Sequence, residues 1–141
     1  MKIRTGFVSN SSSSSFVIAI KEGTKQKEIK KVLLDKYKND IADFCKDDLE
    51  YCYSYKSLQE ERIEQGILPL KGKELYEDIA NIIAEELVSL ISGDYASVIG
   101  IGGWSVSASE CGNEGENVLG LFLYNHANID SEIVKTKTTT C

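Results

Sequence analysis

Ser9-Asn10-Ser11-Ser12-Ser13-Ser14-Ser15-Phe16-Val17-Ile18-Ala19-Ile20 sets a run of five serines directly against five apolar residues. Gly6-Phe7-Val8 closes the other end. Phe, Val and Ile at 16–20, followed by the turn residues Lys21-Glu22-Gly23, predict a strand that ends near Ile20. Ile3 to Val8 predicts another. The serines then form a connection between two strands rather than a solvated tail. With strands here and more near the far end, the helical patterns between them decide the fold.

Thr24 is a candidate N-cap for the first helix, on which Ile29, Val32, Leu33 and Tyr37 recur at helical spacing. Asn39-Asp40 suggests a break. Ile41, Phe44, Cys45 and Leu49 continue the pattern. Ser57-Leu58-Gln59-Glu60 matches a capping box, which predicts a short helix to about Gln65, stopped by Gly66 and Pro69. Residues 73–92 give the clearest helix. Leu75, Ile79, Ile82, Ile83 and Leu90 form one stripe, and Glu74, Glu77, Asp78, Glu85 and Glu86 form the wet face.

Ala96 to Ser109 reads as a strand, bent or bulged at Gly100-Ile101-Gly102-Gly103 with Trp104 in the core. Asn117 to Tyr124 reads as its partner, a central strand, because it is apolar on both faces. Ile133 to Thr140 reads as an edge strand guarded by Lys135 and Lys137, or as a frayed tail over 135–141. The resulting expectation is one α+β domain over 1–141, with a single mainly antiparallel sheet and helices packed on one face.

The chain has 141 residues, enough for one modest core, and no apolar run long enough for a membrane span. No apolar segment precedes the serines in the manner of a secretory signal, so the expected compartment is the cytoplasm, with reduced thiols. The four cysteines, Cys45, Cys52, Cys111 and Cys141, form no CxxC, and His126 is the single histidine. No metal site and no cofactor are expected from that inventory. The net charge of −6 is unevenly spread: residues 1–38 are basic and the remainder is strongly acidic. Duplex DNA is disfavoured as a partner by that sign, whereas a basic, nucleic-acid-binding protein suits it.

Three features carry site hypotheses. Arg4, Ser9, Asn10, Ser11, Ser12 and Ser13 offer a cation, hydroxyls and amides to a phosphate or nucleotide, with Trp104 as a stacking platform; no established phosphate-loop motif is present. Cys111 and His126 are a nucleophile and base by type, but they flank opposite ends of a predicted hairpin strand, and no catalytic residue is assigned. Asp43, Asp47, Asp48 and Glu50, interleaved with Tyr51, Tyr53 and Tyr55, resemble a protein-docking surface, because tyrosine is enriched at interfaces.

The opening Lys2-Ile3-Arg4-Thr5-Gly6-Phe7-Val8-Ser9-Asn10-Ser11-Ser12-Ser13-Ser14-Ser15-Phe16 resembles the N-terminus of many small uncharacterised bacteriophage and prophage proteins, which share an R-x-G-F-V-S-N-S-S-S-S-S-F string. The resemblance covers about the first 18 residues, implies an origin in a phage or mobile element, and brings no catalytic residue with it. With the acidic tract, it favours a non-enzymatic accessory protein that binds and inhibits a host component, as anti-CRISPR proteins do. The alternative is a binding protein that sequesters a nucleotide, as a homo-oligomer, through the serine loop.

Overall fold

In the computed structural model, which describes residues 14–92, 98–109 and 117–140, the chain is α+β. In order it forms β1 (Ser14–Lys21), α1 (Gln26–Lys36), α2 (Lys38–Asp47), a 3₁₀ turn (Leu49–Tyr51), α3 (Tyr53–Glu64), α4 (Gly72–Ser92), β2 (Val98–Ile101), β3 (Trp104–Ser109), α5 (Val118–Asn125) and β4 (Val134–Thr140). The strands make one antiparallel sheet in the order β2-β3-β1-β4. The strand predicted at Ile3 to Val8 lies outside the described residues.

Period-two burial along β1 divides the sheet into two faces. Phe16, Ile18 and Ile20 are buried, while Val17 is exposed and Ala19 half-buried between them, and Lys21 beyond them is exposed. The buried face meets α4, whose Ile79, Ala80, Ile83, Ala84 and Leu87 are buried in turn. Ile29 and Leu33 of α1, Ile41 and Phe44 of α2, and Val134 of β4 complete the same core.

The structure corrects the sequence reading in several places. Asn117 to Tyr124 is not a strand but α5, buried on nearly every side against α2, α4 and β4. Seven residues in a row, Val118 to Tyr124, carry no polar interruption and no period, so a strand buried on two faces and a helix buried all round look alike. The distinguishing signal is Asn117, whose Oδ1 accepts from the Gly120 N–H at 2.7 Å and so caps the helix. Ala96 to Ser109 is not one bent strand. Gly102 (φ +55°) and Gly103 (φ +85°) form a two-residue turn with two positive φ angles, and β2 and β3 form a tight hairpin. Trp104 stands on the open face, half-buried, rather than in the core.

Ser57 lies inside α3, so its capping box is unused; the helix begins four residues earlier, where Cys52 is the N-cap. The first helix is capped one residue beyond Thr24, with the Lys25 N–H donating to Glu28 Oε1 at 2.8 Å. The break after it falls at Tyr37 rather than Asn39-Asp40. Residues 134–140 form a true edge strand.

Gly66 is the stop that its position predicts. At φ +86° it lets its own N–H reach the Ile63 carbonyl (2.9 Å) and the Ile67 N–H reach that of Arg62 (2.9 Å), a Schellman closure. Gly66→Ala should cost about 1 kcal/mol, measured as a shift in the urea midpoint, because a side chain is disfavoured at that φ.

Candidate interaction surface

The segment from Asp43 to Tyr55 runs from the second half of α2, through the 3₁₀ turn, into α3. It sorts its side chains sharply. Asp43, Asp47 and Glu50 are exposed, as are Tyr51 (66% exposed) and Tyr53 (67%). Asp48, Cys52 and Tyr55 are buried. Two of the residues read from sequence as docking groups, Asp48 and Tyr55, are therefore internal. The remaining five stand outside.

The internal pair explains why the segment holds its shape. A buried carboxylate is tolerated only with partners. Asp48, 2% exposed, has Oδ2 2.6 Å from His126 Nε2, and Asn125 Nδ2 donates to the same oxygen at 3.4 Å. The imidazole is itself held in place. It stacks on Phe122 with ring centroids 6.2 Å apart and meets the edge of Phe44 at 5.7 Å. His126 caps the C-terminal end of α5, so this contact pins the 3₁₀ turn to that helix. Cys111, weighed from sequence beside His126, lies outside the described residues.

Tyr55 anchors the other end. Its hydroxyl donates to Asp78 Oδ2 at 2.9 Å, and Arg62 clamps the same carboxylate through both nitrogens, Nη1 at 2.8 Å and Nη2 at 3.1 Å. Such two-point geometry is the strongest form of a charge-assisted pair. Burial, followed by the hydrogen bond to Asp78, pushes the Tyr55 phenol well above its ordinary value. Asp78, which its spacing assigns to the wet face of α4, instead ties α3 to α4.

Between the anchors, Cys52 turns inward while Tyr51 and Tyr53 turn outward. An open groove of about 590 Å³ runs beside them, lined by Tyr53, Ser54, Lys56, Ser57 and Glu60. Burial disfavours the thiolate form of the nearby thiols. Burial, with a smaller contribution from Asp78, pushes Cys45 up to about 12, and burial raises Cys52. Among the described residues, no three His, Cys, Asp or Glu side chains could together hold a metal ion, and no helix is long and apolar enough to cross a membrane.

Of the ligand-binding group, Arg4, Ser9, Asn10, Ser11, Ser12 and Ser13 lie outside the described residues. Trp104 is described, with Lys135 Nζ 6.0 Å from its ring centroid. The comparisons add no relative: no family model, curated protein or solved structure matches this chain.

Proposed function

We propose that this protein is a non-enzymatic accessory protein of a phage or mobile element that binds a host component and inhibits it, with counter-defence of the anti-CRISPR type as its concrete form. One observation carries the reading. Tyr51 and Tyr53 project two-thirds exposed from a turn whose neighbours are buried and hydrogen-bonded, and Asp43, Asp47 and Glu50 flank them. Large aromatic groups held out on a fixed backbone lose little entropy on binding, and this is the usual make-up of an interface hot spot. Acidic groups around them favour a basic partner, such as a nucleic-acid-binding protein, and speed its approach. The phage-like opening supports the setting, and cytoplasmic occlusion of a host protein is the mechanism.

The test uses the five outward residues and leaves the two anchors untouched. Asp43, Asp47 and Glu50 are changed together to lysine in one variant, and Tyr51 and Tyr53 to alanine in another. Each variant should melt like the wild type but capture the host partner at least about tenfold more weakly in a pull-down from host lysate. Undiminished capture by both variants would sink the assignment.

A further inference from the structure

The sheet has two edges among the described residues, and they are built differently. β4 carries Lys135 and Lys137, both exposed, the usual guard against pairing with another chain. β2, Val98-Ile99-Gly100-Ile101, carries no charge and no proline. Indeed no charged residue occurs from Val98 through Ser109, although charged residues make up 27% of the chain. Ile99 is 62% exposed and Ile101 is 60% exposed. Their register partners across β3 are Val106 and Trp104, so the four form one apolar strip on the open face.

We propose that β2 is a self-pairing edge, which joins β2 of a second copy of this chain in antiparallel fashion about a twofold axis through Gly100. The backbone supports this register. In a two-residue hairpin of this kind the closing pair, here Ile101 and Trp104, exchanges both of its hydrogen bonds within the hairpin, which turns the N–H and C=O of Gly100 outward. At the axis each Gly100 N–H then donates to the Gly100 C=O of the other copy. Ile99 of one copy faces Ile101 of the other, and the reverse, at the closer, non-hydrogen-bonded spacing of about 4.5 Å between Cα atoms. Both sheets keep the same face outward, so the apolar strip continues across the axis.

Charge bears on where two copies would meet. Each copy carries a net charge of −6, so two copies repel over most of their surfaces and approach most easily where charge is absent. Pairing through β4 would instead bring lysines together. One group opposes the contact: the Glu22 carboxylate lies 3.7 Å from where a Cβ on Gly100 would stand, so the two Glu22 side chains approach each other across the axis. Two short strands make a small interface, so the dimer is a weak and reversible one.

Sedimentation equilibrium at several hundred micromolar tests the pairing. The wild type should show a concentration-dependent mass rising toward twice 15.6 kDa, and Ile99→Lys with Ile101→Lys should hold the chain monomeric. Glu22→Gln should tighten association by up to about fivefold, the worth of one exposed charge pair. The register has its own readout. Ile99→Cys protein mixed with Ile101→Cys protein should form a disulfide-linked dimer under mild oxidation well above the wild-type background, and neither variant alone should. A monomeric wild type overturns the proposal and leaves this edge to a foreign strand. A dimer that survives the lysine substitutions, or one that cross-links as readily in either cysteine variant alone, also overturns it.

Discussion

Replacing Asp48 by alanine should lower the unfolding free energy by about 3 kcal/mol, whereas the same change at Asp47 should stay within about 0.5 kcal/mol. The two residues are adjacent and chemically identical, and only their surroundings differ. Asp47 is exposed, and its loss leaves water in its place. Asp48 is buried with its oxygen 2.6 Å from His126 and in reach of Asn125. Truncation strips a buried imidazole and a buried amide of their acceptor and leaves a cavity under the 3₁₀ turn. Asp48→Asn keeps an acceptor there and should cost less, about 1 kcal/mol. Urea unfolding followed by circular dichroism reads all three. Equal small effects at 47 and 48 would show that the contact does not organise the turn. The same logic bears on binding. Asp48→Ala should also reduce partner capture, but through lost structure, with a fallen unfolding midpoint to show it. That separates it from Tyr51→Ala and Tyr53→Ala, which act by removing contacts.

Asp48 also shows where the sequence is legible and where it is not. The strand at Phe16 to Ile20 and the helix at 73–92 each carry a full period of apolar residues, so their type follows from pattern alone, although β1 reaches back into the serine run to Ser14. The edge strand at 134–140 is one of the two readings, with a frayed tail, that its alternating lysines allow. Asp48 and Tyr55 were less so, because polarity and clustering suggested a surface. Their spacing held the answer. Phe44, Asp48, Cys52 and Tyr55 follow at intervals of four, four and three, the spacing of one helical face, and all four are buried although the backbone leaves the α-helix between Asp47 and Tyr53. Reading the stripe before the charge would have placed both inside. What no pattern reveals is the partner that makes such burial tolerable. His126 lies 78 positions away, on a helix whose unbroken apolar run concealed its type. The exposed half of the tract, Tyr51 and Tyr53 with Asp43, Asp47 and Glu50, was identified correctly as surface because nothing in the stripe claims those positions.

Glu86→Gln should stabilise the fold by about 2–3 kcal/mol at pH 8 and have almost no effect below about pH 4.5. Glu86 sits on α4 facing the start of α5, where its Oε1 accepts from the Leu119 N–H at 3.0 Å. That hydrogen bond and the positive end of the helix favour the charged form. They do not prevail. Burial, reinforced by the neighbouring Glu85 charge, pushes the carboxyl up from its ordinary 4.5 to about 7. The folded state therefore binds a proton more tightly than the unfolded chain. Between about pH 4.5 and 7 folding takes that proton up, so this group's contribution to stability falls as pH rises through the window. Below the window Glu86 is protonated in both states and carries no penalty; above it the folded state holds a buried charge at full cost. Glutamine keeps an oxygen for Leu119 and can never ionise, so it removes the slope along with the penalty. Urea midpoints at pH 4.5, 6, 7 and 8 should converge for the two proteins at the acid end and separate steadily toward the alkaline end. Parallel curves would mean that Glu86 is solvated in the folded state. A destabilised variant at every pH would mean that its charge is needed at the α5 terminus. The expected divergence instead makes the docking of α5, the helix that the sequence conceals, sensitive to pH near neutrality.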